Sequence, residues 1–272
     1  MPYASNNGVR LFWDQRGEGT PVVLVMGHRY SSAMWYPIID ALVEDGHQVV
    51  WYDNRGTGKT DTTGDVTIAD FVADTLTVMD AAGIDRAHIF GVSMGGGIVL
   101  DLAIRHPERC LSVVLGCTCM KTPDMPSTPA WVRLFYYAPQ WMLKLLLGRP
   151  KVANNGYGSA ADPAAVKRDM AIAKDDPYVT RGLVAQAKAI ADYSVRPEVV
   201  AAVAVPALVM HGDEDGTVPY ALGVKLAETL PHSELVTLEG AGHNYLVASP
   251  VKTKATLLDF LRRMDVRAGA AA

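Results

Sequence analysis

The chain has 272 residues, 49% of them hydrophobic, which is enough to bury the core of one full domain. Its net charge of −4 excludes the strongly basic surface on which binding to nucleic acid or to an anionic membrane depends. No apolar run approaches the roughly 18 residues of a membrane span, and the polar start from Met1 to Gly8 lacks the pattern of a secretory signal.

The predicted elements alternate between strand and helix along most of the chain. The strand-like runs are short, apolar and rich in β-branched residues, which is typical of strands covered on both faces of a parallel sheet. They lie at Val9–Asp14, Pro21–Met26, Gln48–Tyr52, His88–Phe90, Leu111–Leu115, Ala207–Met210 and Leu235–Leu238. Helical patterns fall between most of them, at Met34–Asp45, Ile68–Ala82, Gly96–Arg105, Tyr220–Leu230 and Val251–Met264. The alternation predicts a mostly parallel, doubly wound α/β sheet, whose ligands bind at the C-terminal ends of the strands.

The alternation stops in residues 118–202, where no convincing strand is found. Three helix-like stretches occupy this segment instead, at Ala130–Leu147, Pro163–Asp175 and Tyr178–Asp192. A segment of this length between two core strands is too large for a loop. We therefore expect a core domain of residues 1–117 and 203–272 with an inserted helical cap, or lid, at 118–202. The first half of the cap is rich in large apolar residues, and its inner face predicts an apolar substrate pocket lined by Trp131, Phe135 and Trp141.

A serine flanked by glycines marks the most informative turn, Gly91-Val92-Ser93-Met94-Gly95. The turn follows a strand-like run and opens a helix-like one. A serine in this context is held in a strained conformation that projects its hydroxyl into a cleft. The flanking glycines let the backbone make the turn and approach its neighbours closely. The pattern predicts Ser93 as a catalytic nucleophile.

The partners that a serine nucleophile needs occur later in the chain, each after a predicted strand. Three acidic residues, Asp213, Glu214 and Asp215, follow the strand at Ala207–Met210, and His243 follows the next strand. A histidine takes the serine proton during attack and returns it to the leaving group. An acid fixes the tautomer of the histidine and stabilises the imidazolium. The residues by themselves leave the choice among the three acids open.

Taken together, these motifs resemble the α/β-hydrolase fold superfamily, in particular its capped, single-domain esterases, lactonases and dehalogenase-like members. The chain order serine, acid, histidine is the one associated with this scaffold. The matching motifs span nearly the whole chain: Val22-Val23-Leu24-Val25-Met26-Gly27, Tyr52-Asp53-Asn54-Arg55-Gly56-Thr57-Gly58, Gly91 to Gly96, His106-Pro107-Glu108-Arg109, Gly212 to Pro219 and Gly240 to His243. Superfamily members usually carry His-Gly after the first core strand. Here Met26-Gly27 stands there, a variant that resembles methylesterases of polyketide methyl esters.

The resemblance implies a role for each candidate residue. The family's spacing assigns the acid to Asp215 and leaves Asp213 as a solvated or turn-capping carboxylate. The oxyanion of acyl transfer needs two backbone N–H donors, one after the nucleophile and one in the loop after the first core strand. These are the N–H groups of Met94 and His28. The His28 side chain either touches the substrate as well or has no part in the reaction.

The activity that the resemblance implies is that of a serine hydrolase. It would cleave a carboxylic ester or lactone of a small apolar molecule through an acyl-enzyme on Ser93, without a cofactor or metal. Serine at this position disfavours haloalkane dehalogenase and epoxide hydrolase, which resemble the fold but place aspartate there. Two alternatives stay open: a C–C bond hydrolase of diketone-type substrates with the same triad, and a non-hydrolytic ligand-binding member of the fold. The oligomeric state cannot be inferred from the sequence.

Two further patterns indicate ordinary structure. The three cysteines, Cys110, Cys117 and Cys119, are odd in number and clustered, which predicts reduced residues packed as small apolar groups and a cytoplasmic protein. The run Gly56-Thr57-Gly58-Lys59-Thr60 is similar to a phosphate-binding loop, but Asp53 stands where the first glycine is required. Nucleotide binding is therefore excluded.

Overall fold

A computed structural model describes residues 2–121 and 156–269 of the chain. It contains an eight-stranded sheet in the order β1-β2-β4-β3-β5-β6-β7-β8. The strands are β1 (Tyr3–Asn6), β2 (Val9–Arg16), β3 (Thr20–Val25), β4 (His47–Tyr52), β5 (Ala87–Val92), β6 (Cys110–Gly116), β7 (Ala207–Gly212) and β8 (Ser233–Leu238). Strand β2 pairs antiparallel with β1 and β4, and the remaining pairs are parallel. The mostly parallel α/β sheet predicted from the sequence is confirmed.

Helices cover both faces of this sheet. Those in the described ranges are α1 (Ile39–Glu44), α2 (Ile68–Ala81), α3 (Met94–Arg105), α4 (Pro163–Asp175), α5 (Thr180–Asp192), α6 (Pro197–Val200), α7 (Tyr220–Thr229), α8 (Tyr245–Ala248) and α9 (Pro250–Gly269). Short 3₁₀ turns occur at Ser32–Trp35 and Pro107–Arg109. Within the described ranges, none of the helices has the length and apolar character needed to cross a membrane.

The central strands bury side chains in both directions, which explains why helices pack on both faces. Along β3, Val23 and Val25 join one core cluster, whereas Val22 and Leu24 join the other. The first cluster includes residues of α2 and α3, and the second includes residues of α1 and α9. Strands β5 and β7 are buried at every position. Two-sided burial is the reason that these strands have largely apolar sequences without the alternation of a half-exposed strand.

The N-terminal part of the chain differs from the predicted elements at two places. Strand β1 is not predicted, because its four residues are mostly exposed and carry little apolar pattern. The single helix predicted at Met34–Asp45 is wrong: a 3₁₀ turn ends at Trp35, and α1 begins at Ile39. Pro37 lies at the break and has no backbone N–H with which to continue a helix.

Two of the three predicted cap helices are described. The helix predicted at Pro163–Asp175 is α4, and the one predicted at Tyr178–Asp192 is α5, which begins two residues later. The helix predicted at Ala130–Leu147 lies outside the described residues. Helix α4 packs against the 3₁₀ turn at Ser32–Trp35 and against α8, so it lies beside loops at the carboxyl edge of the sheet.

The carboxyl ends of β5 to β8 form one continuous edge of the sheet. Strand β5 ends at Val92 and β6 at Gly116, and the register pairs these two residues. Strand β7 ends at Gly212 and β8 at Leu238, which are paired in the same way. The residues that follow these four strands therefore lie side by side, and the predicted serine, acid and histidine are among them.

A buried ion pair holds the loop after β4. Arg55 Nη2 donates to Asp74 Oδ1 of α2 at 2.7 Å, and the side chain of Asp74 is fully buried. Asn6 donates to the same oxygen at 2.7 Å. The Arg55 carbonyl accepts a hydrogen bond from Gln186 of α5 at 2.8 Å. The pair therefore joins the loop to α2, to β1 and to α5.

We expect Asp74→Ala to lower the free energy of unfolding by about 3–5 kcal/mol, because it leaves the buried Arg55 guanidinium without its counter-charge. Asp80→Ala is the matched control. It removes another α2 carboxylate, whose ion pair with Arg109 lies at the surface and contributes less than about 1 kcal/mol. Urea unfolding of both variants measures the difference, and equal losses would contradict the importance of the buried pair.

Candidate active site

Ser93 lies on a sharp turn between β5 and α3. Its backbone has φ 55° and ψ −121°, a positive-φ conformation that favours glycine. Two close approaches explain the neighbouring glycines. A Cβ on Gly91 would lie 2.2 Å from the Gly95 carbonyl oxygen, and one on Gly95 would lie 2.0 Å from that of Val25. The Ser93 N–H donates to the Gly116 carbonyl at 2.8 Å, so the turn is held from both sides and keeps the serine at the wall of a cavity.

Asp215 follows β7 as a fully buried carboxylate. Its Oδ2 accepts a hydrogen bond from His243 Nδ1 at 2.8 Å and lies 3.2 Å from His211 Nε2. Its Oδ1 accepts from the N–H groups of Thr217 and Val218 at 2.8 and 2.9 Å. Burial raises the pKa of Asp215, but the hydrogen bonds from the two histidines and the backbone outweigh it and lower the pKa well below its ordinary value. The group is therefore ionised at neutral pH.

The other two candidate acids bind elsewhere. Asp213 Oδ1 accepts from the Gly240 N–H at 2.7 Å, which makes it a turn-capping carboxylate. Glu214 accepts from the N–H and the hydroxyl of Ser159 at 2.7 and 2.6 Å. Of the three acids that the sequence offers, Asp215 is the one that the structure brings to His243.

Backbone hydrogen bonds hold the loop that carries His243. The Gly242 N–H donates to the Tyr157 carbonyl at 2.8 Å, and the Asn244 N–H donates to the Gly156 carbonyl at 2.7 Å. A Cβ at Gly242 would lie 2.8 Å from the Gly156 backbone, so the two segments could not approach this closely with a larger residue. The position of the imidazole therefore depends on residues that immediately precede α4 as well as on β8.

Cys117 is a neighbour of His243 that the sequence interpretation missed. One ligand atom each of Cys117, Asp215 and His243 lie within 4.8 Å of one another, and Cys117 is buried. Burial by itself lowers the pKa of His243, but the contacts with Cys117 and Asp215 outweigh it and raise the pKa above its ordinary value. Strand register is the information that would have identified Cys117. The last residues of β5 and β6 are paired, so the residues that follow them, Ser93 and Cys117, lie at neighbouring strand ends.

Ser93 and His243 line the same cavity. Among the hydrogen bonds of the described ranges, none joins the serine hydroxyl to the imidazole. Because Asp215 holds Nδ1 of His243, Nε2 is the nitrogen left to receive a proton. Hydrogen bonds between catalytic groups are often long until substrate binds. Proton transfer between the two groups therefore requires this hydrogen bond to form when substrate binds.

The predicted oxyanion donors flank Ser93. Met94 is the first residue of α3, where a backbone N–H has no partner inside the helix. His28 follows Gly27, at which a Cβ would lie 3.1 Å from Ser93 Cβ. The His28 ring Nε2 lies 3.0 Å from the Leu183 carbonyl, and burial lowers the pKa of His28 against the opposing effect of this hydrogen bond. The neutral ring therefore ties its loop to α5, which gives the side chain a structural role.

The cavity at this edge has a volume of about 490 Å³, a size that suits a small molecule. Its wall is largely apolar, with polar groups supplied by a few residues that include Tyr30, Asp169 and Asn244. The predicted pocket residues Trp131, Phe135 and Trp141 lie outside the described residues, so their relation to this cavity stays a prediction.

The cluster of Cys117, Asp215 and His243 has the residue types of a metal site. Its geometry favours a proton relay, because Asp215 Oδ2 and His243 Nδ1 are joined directly at 2.8 Å. A metal ion bound by both atoms would have to replace this hydrogen bond.

Comparison with known proteins finds matches over nearly the full length of the chain. A family model described as alpha/beta hydrolase fold matches residues 20–249. The protein named carbamate hydrolase RutD of Azorhizobium caulinodans is 29% identical, over 97% of this chain and 100% of its own length. The protein of the same name from Pseudomonas savastanoi pv. phaseolicola is 30% identical, over 91% of this chain and 95% of its own length.

Solved structures show the same similarity. The enol-lactonase from Burkholderia xenovorans LB400 is 26% identical with a TM-score of 0.78, and the match covers 96% of this chain and 100% of that one. The protein named non-heme bromoperoxidase BpoC, from Mycobacterium tuberculosis H37Rv, is 26% identical with a TM-score of 0.79, and the match covers 93% and 96% of the two chains.

We expect Cys117→Ala to lower the pKa of His243, because the electrostatic attraction and the hydrogen bond between Cys117 and the ring both favour the imidazolium. Removing a group that stabilises the protonated form makes the ring release its proton at lower pH. Cys119→Ala is the matched control, since Cys119 is two positions away and does not line the cavity. NMR titration of the His243 ring in the wild type and both variants measures the pKa. An unchanged or higher value in Cys117→Ala would contradict this expectation.

Proposed function

Because this chain belongs to the alpha/beta hydrolase fold family, we propose that it is a serine hydrolase that cleaves a carboxylic ester or lactone through an acyl-enzyme on Ser93. One observation carries the proposal: the hydrogen bond between Asp215 Oδ2 and His243 Nδ1, at the wall of a cavity that Ser93 also lines. The names of two relatives, carbamate hydrolase and enol-lactonase, support a reaction at an acyl carbon.

The proposed reaction gives each of these groups one role and starts from the neutral form of His243. His243 Nε2 takes the proton of Ser93 Oγ while this oxygen forms a bond to the substrate carbonyl carbon. The N–H groups of His28 and Met94 stabilise the oxyanion of the tetrahedral intermediate. The imidazolium, stabilised by the Asp215 carboxylate, then gives its proton to the leaving alkoxide. Water repeats the same steps on the acyl-enzyme and releases the acid.

We also propose that residues 118–202 form a cap on a core of residues 1–117 and 203–272. Support comes from hydrogen bonds between described parts of the two units. Asp169 of α4 accepts from the Tyr36 hydroxyl at 2.9 Å, and α5 accepts from the His28 ring. Substrate choice is then a property of the cap, with Trp131, Phe135 and Trp141 as proposed pocket residues. The proposed substrate is a small apolar molecule.

The cellular compartment is likewise proposed. The three cysteines of the chain are all free thiols in the structure, and Cys110 and Cys117 are buried. Reduced, buried thiols are typical of cytoplasmic proteins, which supports a cytoplasmic location. The buried position of Cys110 raises its pKa to about 12, so this thiol is unreactive at neutral pH.

We expect a fluorophosphonate probe to label the wild type and not Ser93→Ala, since the probe reacts with an activated serine. The same substitution should lower kcat for hydrolysis of 1-naphthyl butyrate by about 10⁶-fold, the loss typical of removing a serine nucleophile. Mass spectrometry of the labelled chain and absorbance of 1-naphthol measure the two outcomes. Labelling that persists in Ser93→Ala would refute this nucleophile. A wild type that is neither labelled nor active would favour the ligand-binding alternative.

The choice of acid is tested by a matched pair of variants. We expect Asp215→Asn to lower kcat for the same ester by about 10⁴-fold, because an amide favours the wrong tautomer of His243. Asp213→Asn should keep kcat near that of the wild type, since asparagine retains the carbonyl oxygen that accepts from Gly240. Steady-state kinetics of both variants decides between the two acids. A larger loss in Asp213→Asn than in Asp215→Asn would show that the assignment is wrong.

A further inference from the structure

Arg29 is held in a fixed orientation at the wall of the candidate active site, one residue after His28. Its backbone N–H donates to the Gln186 side chain at 2.9 Å. Its guanidinium carbon lies 5.0 Å from the ring centroid of Tyr30 and 5.6 Å from that of Tyr178. Nη1 donates to the Tyr30 hydroxyl at 3.0 Å. Contacts with two aromatic rings fix the guanidinium and occupy its faces, while N–H groups at its edge stay available.

The Arg29 guanidinium forms no ion pair with any residue that the structure describes. In residues 2–121 and 156–269 its buried Nε–H has no acceptor. Two acids in its surroundings have other hydrogen-bond partners, although the charge of Arg29 opposes the rise in the pKa of Asp176 that burial causes. Asp169, on the same cavity wall, accepts from two tyrosine hydroxyls, and Asp176 accepts from the N–H and hydroxyl of Ser31. A guanidinium is a cation with donors only, and Arg29 is half-buried and lines the cavity.

An unpaired cation in a largely apolar site is costly unless a ligand neutralises it. Arg55, a buried arginine in the loop after β4, has its own carboxylate in Asp74. The difference between the two suggests that the fold does not need the charge of Arg29. Both N–H groups of Nη2 and one of Nη1 lack a partner in the described ranges, and adjacent N–H groups of this kind fit the two oxygens of a carboxylate.

We propose that Arg29 binds a carboxylate of the substrate, so that the enzyme acts on esters or lactones that also carry a carboxylate. This inference rests on the proposed function for its reaction and adds the class of substrate. One guanidinium neutralises one negative charge, and the Asp169 carboxylate on the same wall opposes a second. A carboxylate therefore fits the site better than a dianionic phosphate.

Arg29 lies in the same loop as a proposed oxyanion donor. It is adjacent in sequence to His28, and both residues line one cavity. One substrate molecule can therefore present its reacting carbonyl and its carboxylate to this loop together. The apolar side chains of the wall, such as Met26, Met34 and Leu246, suit the carbon chain that joins these two groups.

The kinetic test compares 1-naphthyl hydrogen adipate with 1-naphthyl hexanoate, which match in acyl-chain length and differ in the terminal carboxylate. We expect the wild type to have the higher kcat/KM for the adipate ester, mainly through a lower KM. Arg29→Gln should lower the adipate-to-hexanoate ratio of kcat/KM about 10- to 100-fold, the effect of one charge-assisted pair. Arg29→Lys keeps the charge but not the fork of N–H groups, so it should retain part of the preference.

Arg168→Gln is the matched control. Its guanidinium also stacks on a tyrosine, 5.1 Å from the ring centroid of Tyr36, but Arg168 is exposed and lies outside the cavity. We expect the ratio to stay at the wild-type value in this variant. Thermal unfolding shows that each variant is folded. An unchanged ratio in folded Arg29→Gln, or an equal fall in Arg168→Gln, overturns the proposal.

Binding to Ser93→Ala separates this proposal from the proposed reaction, because it needs no turnover. Calorimetry with the same two esters should show tighter binding of the adipate ester and loss of this preference when Arg29→Gln is added. If the wild type cleaves neither ester but the Arg29-dependent preference is present, only the proposed reaction fails. If the wild type cleaves the hexanoate ester and no Arg29-dependent preference is found in either assay, only the carboxylate site fails.

Discussion

The alignment of four parallel strand ends is the constraint on which the candidate site depends. Strands β5 to β8 are hydrogen-bonded in sequence, so the residues that follow them are held side by side however far apart they are along the chain. Ser93, Cys117, Asp215 and His243 come from these four ends in turn. The register cannot slip, because a shift of one residue would turn the side chains of strands buried on both faces toward the wrong core.

The groups of the proposed relay and the wall of the cavity are supported in different ways. Ser93 keeps a backbone conformation that costs about 1–3 kcal/mol, and close packing of Gly91 and Gly95 against neighbouring backbone maintains it. Helices α4 and α5 contact the site through hydrogen bonds to loops, such as Tyr36 to Asp169 and His28 to Leu183. The wall can therefore vary in sequence while the strand ends stay in place.

Buried polar groups near the candidate site differ in whether the described residues supply their hydrogen-bond partners. The carboxylates of Asp74 and Asp215 each accept several hydrogen bonds from other residues of the chain. Among the described residues, the Nε–H of Arg29 at the cavity wall has no acceptor, and Tyr245 is similar: its hydroxyl is fully buried, has no hydrogen-bond partner and belongs to the same wall.

The sequence by itself determined the class of fold, most of the central strands and the turn at Ser93, because apolar runs, glycines and capping residues act on neighbouring positions. It did not predict β1 or the break at Pro37, where the local pattern is weak or mixed. From the residues alone, Asp213, Glu214 and Asp215 were equivalent, and Cys117 was one small apolar residue among three cysteines. The family's spacing assigned the acid to Asp215, but only the tertiary structure showed that this carboxylate contacts His243 and that a thiol lies beside the imidazole. It also showed that Arg29 forms no ion pair among the described residues. These properties depend on strand register and on contacts between segments distant in the chain, and no local pattern encodes either.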